Sequence, residues 1–173
     1  MMRYLIVVLF FLSACSDGVK TLPSSTGILS EVIFVVDDLL WENQVKDVAF
    51  KTFGVPIQGL TKDESSFRVI QVNHSEFKSI LKTHKNIVII AKNVPTSNQQ
   101  NKWANGQLVV QLEFKDEDNK LTKDLNKVKS IFEFREIRIL RNSISKSSQK
   151  IQEQHIKDQF NIETLIPSEY TIV

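Results

Sequence analysis

Two adjacent acids, Asp37 and Asp38, follow directly on the apolar run EVIFVV of residues 31–36. Paired carboxylates at the end of a strand could hold Mg²⁺ or Ca²⁺, hard cations that take oxygen ligands and fill their shells with water. The same residues suit a plainer task, because an aspartate at a helix start accepts from free N–H groups and complements the helix dipole. No third acid stands at a spacing that would complete a metal centre. The histidines, His74, His84 and His155, lack the HxH, HxxxH and HExxH spacings of zinc ligands and read as scattered surface or interface residues. The nucleophile turn GxSxG and the phosphate patterns GxGxxG and GxxxxGK followed by Ser or Thr do not occur, and five glycines leave little for a glycine-rich loop. The residues therefore assign no catalytic side chain and no cofactor. Asp37 and Asp38 stand as the candidate metal pair.

The single cysteine, Cys15, offers a different chemistry. It closes an ordered series: Met1, Met2 and Arg3 make a short, positively charged start, Tyr4 to Leu12 form a continuous apolar run, and Ser13 and Ala14 are small. The run is shorter than the roughly 20 apolar residues that span a bilayer, and it suits the apolar core of a secretory signal. LSAC, Leu12 to Cys15, resembles the lipobox of bacterial lipoproteins. The resemblance implies cleavage before Cys15, a diacylglyceryl group on its sulfur, and acyl chains of the palmitate kind. A thiolate is the side-chain nucleophile such a transfer uses. On this reading residues 1–14 are a signal peptide, and residues 15–30 are the lipidated cysteine and a flexible tether rich in Ser, Gly and Pro. Residues 31–173 are one globular domain with no cysteine left for a disulfide. The expected place is the cell envelope, anchored to the outer membrane on its periplasmic side. Ser16 and Asp17 lack the acidic run that surface-exported lipoproteins carry after the cysteine.

The elements that must position these residues come from apolar patterning. Hydrophobic content of 42%, charged content of 24% and a net charge of +2 are ordinary for a globular chain and single out no anionic partner. EVIFVV (31–36), FRVIQV (67–72) and NIVIIAK (86–92) predict buried strands. A helix is predicted between the first two, with Trp41, Val45, Val48, Ala49 and Thr52 on one face and Gly54 and Pro56 after it. A second, short helix is predicted after Asn73, with Glu76 as its capping partner. NVPTSNQQN (93–101) reads as a polar loop. QLVVQLEF (107–114) alternates and reads as an antiparallel strand near the sheet edge. Residues 120–160 predict a long helical region, one kinked helix or two. The expected fold class is α/β or α+β: a mixed sheet of about five strands, three of them parallel, with an antiparallel edge strand, covered by helices. The interleaved charges of residues 123–158 read as a solvated helix face.

The segments LPSSTG, EVIFVVDDLLWE, LKTHKNIVII and IPSEY follow one another as in an uncharacterised lipoprotein family of Bacteroidetes, the domain of unknown function numbered four-eight-three-seven. The chain resembles that family from about Leu22 to its end. The resemblance brings no activity, cofactor or catalytic residue. Members continue past the segment matching IPSEY, so the resemblance implies a short or half-length member. Trp41 is expected in the core and Trp103, in a polar loop, at an interface. The function expected is a lipid-anchored, non-catalytic binding or interaction module facing the periplasm. The alternative is an envelope enzyme or metal-binding protein centred on Asp37 and Asp38. The partners expected are the membrane, through the lipid on Cys15, and a protein partner or a second copy, through residues 103–114 or the C-terminal segment. No nucleic acid is expected.

Cells grown with a labelled fatty acid will label the wild-type chain and not Cys15→Ser. Label retained in the variant would remove the lipidation reading.

Overall fold

The computed structural model describes residues 21–59, 61, 62 and 64–170. Cys15, the signal segment, and Ile172 and Val173 at the C-terminus lie outside the described residues. Five strands form one sheet: β1 (Glu31–Val35), β2 (Arg68–Val72), β3 (Asn86–Ala91), β4 (Ser97–Gln100) and β5 (Leu108–Glu113), in the order β2-β1-β3-β5-β4. β1 is parallel to both β2 and β3, β3 is parallel to β5, and β4 is antiparallel to β5. The expected mixed sheet is therefore present, with one difference in identity. The antiparallel edge strand is β4, drawn from the residues that read as a loop. The strand at 108–113 is interior, and β4 covers its outer side along residues 108–111. β4 escapes apolar patterning because SNQQ has none. Its backbone pairing with β5 makes it a strand, and polar side chains on so short an edge discourage further pairing.

Alternation along the strands divides the core. Val32, Phe34, Val36, Val88, Ile90, Leu108, Val110 and Leu112 face one side, where α1 (38–53) and α2 (Lys120–Ser145) cover them. α1 brings Trp41, Val45, Ala49 and Phe53, and α2 brings Leu125, Val128 and Phe132. Phe53 is the centre of this layer. Its ring lies 5.4 Å from Phe34, 5.5 Å from Phe67 and 6.3 Å from Phe132, the spacing at which edge-to-face pairs add to burial. Trp41 is buried here, as the helical spacing predicts. The other side, with Ile33, Val35, Ile87 and Val109, has thinner cover. The predicted second helix is a turn at Asn73 followed by a 3₁₀ turn, Ser79–Thr83. Asn73 Oδ1 accepts from the Ser75 N–H at 3.1 Å, closing a local turn in place of a helix start. Phe77, Leu81 and Trp103 complete the cover on this side.

α2 is 26 residues long, about 39 Å at 1.5 Å per residue, whereas a strand of five or six residues spans only about 17–20 Å. Its buried residues accordingly end at Glu136, and Phe134, Ile137 and Leu140 face solvent. The helical region then breaks at residues 146–149 and resumes as α3 (Lys150–Phe160). α3 has no fully buried residue and is held to the following segment by polar contacts. Glu153 Oε1 accepts from the Ile166 N–H at 2.9 Å, and Lys157 pairs with Glu163 at 2.8 Å. Pro167 makes an isolated bridge with Ser148, and Gln149 donates to its carbonyl.

The Ile166 N–H, more than any other group, holds the Glu153 carboxyl below its ordinary pKa. A carboxylate whose pKa is depressed by folding contributes stability above its unfolded pKa and loses it as pH falls through the folded value. Protection of the Ile166 amide, measured against its intrinsic exchange rate at each pH, is therefore predicted to fall below the usual carboxylate range, while amides of β3 remain protected. Glu153→Ala will show the same loss of protection at neutral pH. Ile166 protection that tracks β3 across the acid range would refute this.

Candidate functional site

The order of the sheet sets where a ligand can enter. From β1 the chain crosses to β2 on one side, then returns past β1 to β3 on the other. The carboxyl ends of β1 and β3 are thus the point where the winding reverses, the position at which open α/β sheets hold ligands. A cleft of about 730 Å³ opens there, lined by Asp37, Asp38, Leu39, Leu40, Asn43, Gln44, Asn73, Ala91 and Lys92. The two sequence candidates, Asp37 and Asp38, sit together on its wall, both exposed. Asp37 occupies the N-cap position of α1, yet its side chain makes no capping bond; its carbonyl accepts from the Trp41 N–H at 2.8 Å. Asp38 Oδ1 accepts from Gln71 Nε2 at 3.0 Å. Neither carboxylate is consumed by capping, so both face the cleft's solvent.

α1 changes pitch beside them. Residues Trp41–Val45 form a π-helical turn between the α-helical stretches Asp38–Leu40 and Lys46–Phe53. Such turns are costly and collect at functional sites. Here the turn buries Trp41 and Val45 while Asn43 and Gln44 line the cleft. Lys92, just after β3, is the cleft's cation, its ammonium 6.0 Å from the Phe114 ring centroid. Among the described residues no three His, Cys, Asp or Glu side chains converge as a metal site would require.

The histidines separate. His74 bonds through Nε2 to the Ile90 carbonyl at 3.2 Å, and His155 is exposed on α3. His84 corrects the reading of scattered surface histidines: it is 5% exposed and belongs to a buried polar network at the amino ends of the strands. His84 Nε2 donates to Glu31 Oε1 at 2.8 Å, and Arg68 approaches the other oxygen at 3.6 Å. Asn86 Nδ2 donates to the Glu31 carbonyl at 3.0 Å and to Glu136 Oε1 at 2.7 Å, while Arg135 Nη1 donates to Asn86 Oδ1 at 3.0 Å. Glu136 Oε2 accepts from the Ser30 N–H at 2.8 Å, and Arg135 also reaches the Gly106 carbonyl. Gln107 donates to the His84 carbonyl at 2.7 Å and accepts from the Trp103 N–H at 3.0 Å. Burial lowers the Arg135 pKa from its ordinary value, and the neighbouring Glu136 opposes that shift. Among the described residues Ser148 Oγ is the buried side-chain polar atom left without a partner, so this network is fully satisfied. That satisfaction makes it a structural device.

A strap closes over it. The part of the tether at residues 22–27, expected to be flexible, lies docked on the amino ends of the strands. Asn105 donates to the Leu22 and Pro23 carbonyls at 2.9 and 2.7 Å, and Thr26 bonds to Thr83 and Lys85. Gly27 follows at φ +85°, where a Cβ would stand 2.3 Å from His84 Nε2; only glycine allows that approach. Trp103 is half-buried against Phe77 at 5.6 Å, packed into the second core as well as facing solvent.

Residues 25–145 match the family model described as Domain of unknown function (DUF8532). That family is numbered 8532, whereas the sequence motifs resemble the one numbered 4837; common to both is a domain of unknown function. No curated protein matches the chain, and no solved structure does. The matched span ends with α2, so it contains the cleft and the buried network and leaves α3 outside.

Removing one member of a buried charged network strands its partners and costs about 3–5 kcal/mol. Arg135→Met should lower unfolding stability in urea by that amount, while the exposed neighbour Arg138→Met should change it by no more than about 0.5 kcal/mol. Equal effects at both positions would contradict a satisfied network.

Proposed function

The chain belongs to the DUF8532 family of domains of unknown function, and from that premise we propose that it is a lipid-anchored envelope lipoprotein of the Bacteroidetes kind. It works as a non-catalytic binding module facing the periplasm. The observation that carries this reading is the cleft at the winding reversal, walled by two carboxylates that no capping bond engages. Its polar lining is Asp37, Asp38, Asn43, Gln44, Asn73 and Lys92, with Leu39, Leu40 and Ala91 supplying apolar surface. That lining holds no nucleophile paired with a base, the arrangement covalent chemistry needs. Two acids against one lysine favour a small ligand or partner segment bearing a cationic amine, with an apolar body against Leu39. Acylation at Cys15 supplies the membrane, since two or more acyl chains hold where one is marginal.

The alternative, an envelope enzyme or metal-binding protein, would use the same carboxylates, so one titration separates the two. Arginine, spermidine, Mg²⁺ and Ca²⁺ are added in turn to the labelled chain and backbone amide shifts are followed. The binding reading expects saturable shifts at residues 37–44 and 92 with an amine, absent in Asp37→Asn/Asp38→Asn. Saturation by Mg²⁺ or Ca²⁺ alone would favour the alternative, and no shift with any of them would sink both.

A further inference from the structure

The amino end of the domain carries a surface that the cleft does not use. Between residues 73 and 85 stand three lysines, Lys78, Lys82 and Lys85, against one acid, Glu76, and the loop before β5 adds Lys102. This is a concentration of positive charge in a chain whose net charge is only +2. Some lysines elsewhere pair with acids, as in Lys46–Glu42, Lys120–Asp124 and Lys150–Glu153, and others, such as Lys51 and Lys92, do not among the described residues, but those do not share an aromatic ring. Among the described residues none of these four lysines makes an ion pair. Two of them gather on one aromatic ring: the Lys102 and Lys82 ammonium groups lie 4.5 and 5.8 Å from the Trp103 centroid. Trp103 is backed by buried Phe77, and Ile80 on the adjoining 3₁₀ turn is 69% exposed.

A half-buried tryptophan among unpaired lysines, with an exposed aliphatic beside it, suits a bilayer interface. Indole rings settle at headgroup level, and lysines are drawn to anionic lipid. The path of the chain puts such an interface within reach. The strap is fixed to Asn105, two residues from Trp103, through the Leu22 and Pro23 carbonyls. Leu22 lies seven positions after Cys15, at most about 25 Å of extended chain. A domain anchored at Cys15 therefore keeps this surface close to the bilayer, at an effective concentration that lets weak contacts count.

We propose that Lys78, Lys82, Lys102 and Trp103 form a surface that docks on the anionic headgroups of the membrane holding the chain. The proposal rests on the lipid anchor, and its test distinguishes the two. The acylated full chain is reconstituted into nanodiscs of phosphatidylcholine, with and without phosphatidylglycerol, containing brominated acyl chains. The Trp103 signal is the emission lost in Trp103→Phe; Trp41, buried in the core, supplies a constant background. With phosphatidylglycerol, Trp103 emission shifts to the blue and is quenched by bromine. Both effects are smaller in phosphatidylcholine alone, vanish in Lys82→Glu/Lys102→Glu, and fade toward 1 M salt, where the screening length is about 3 Å. A chain that stays with the discs while Trp103 behaves alike in both lipids overturns the docking surface and leaves the anchor standing. An equal response to inorganic phosphate in phosphatidylcholine discs overturns it in favour of a free-anion site. A chain that leaves the discs overturns the anchor and the proposal together.

Discussion

The Asn86 carboxamide binds across the middle of the molecule. It stands at the first position of β3, where the next residues are Ile87, Val88, Ile89 and Ile90. Its nitrogen holds the carbonyl of Glu31 in β1 and the carboxylate of Glu136 in α2, and its oxygen takes the guanidinium of Arg135. A buried amide has few ways to satisfy its polar groups, and each unmade bond costs about 1–3 kcal/mol. That constraint sets the position of α2 against the sheet. The apolar stripe Leu125, Val128 and Phe132 would tolerate some sliding; the Arg135 and Glu136 bonds do not. The same constraint fixes the beginning of β1, since Glu136 also takes the Ser30 N–H.

With one end of the sheet secured in this way, the other end is free to be irregular. Backbone at the carboxyl ends of β1 and β3 gives way to exposed acids, a π-helical turn and an open cleft. The molecule thus separates its two requirements. Rigid, buried polar groups bonded to one another gather at the amino ends of the strands, and solvent-facing ones gather at the carboxyl ends. The five residues of β1, buried along their whole length, join the two.

The main strands and both long helical regions are legible because burial on a sheet or under a helix leaves an apolar period in the residues. β1, β3 and β5 are nearly continuous apolar runs, and α1 ends at Gly54 as glycine predicts. Features that depend on distant partners leave no such trace. β4 is a strand through its partner's backbone alone. The segment after Asn73 has a helix-like start, but its polar groups close a local turn first. The direction of β5 depends on β4 lying outside it, which no pattern in QLVVQLEF records. The Asp37–Asp38 pair was visible as chemistry, and its place at the winding reversal required the strand order. The buried network joins residues as far apart as Ser30 and Glu136. The one local hint is that Glu31, Asn86 and Gln107 are polar residues placed directly before apolar runs, where a strand should already be burying its side chains.

The strap at residues 22–27 has a mechanical consequence. Were the chain held at its amino end while a ligand in the cleft was held by something else, it would bear tension. That tension would enter at Leu22 and Pro23, pass through the bonds to Asn105, Thr83 and Lys85, and reach Glu31 at the head of β1. β1 lies between β2 and β3, parallel to both. A pull from its head against a load at its far end acts along the strand. Ladder bonds on both flanks then share the load in shear, instead of opening one at a time as they would in peeling. The strap and the cleft at Asp37 and Asp38 lie at opposite ends of β1 with ladder bonds on both sides, so a pull between them would run along the strongest direction of the sheet.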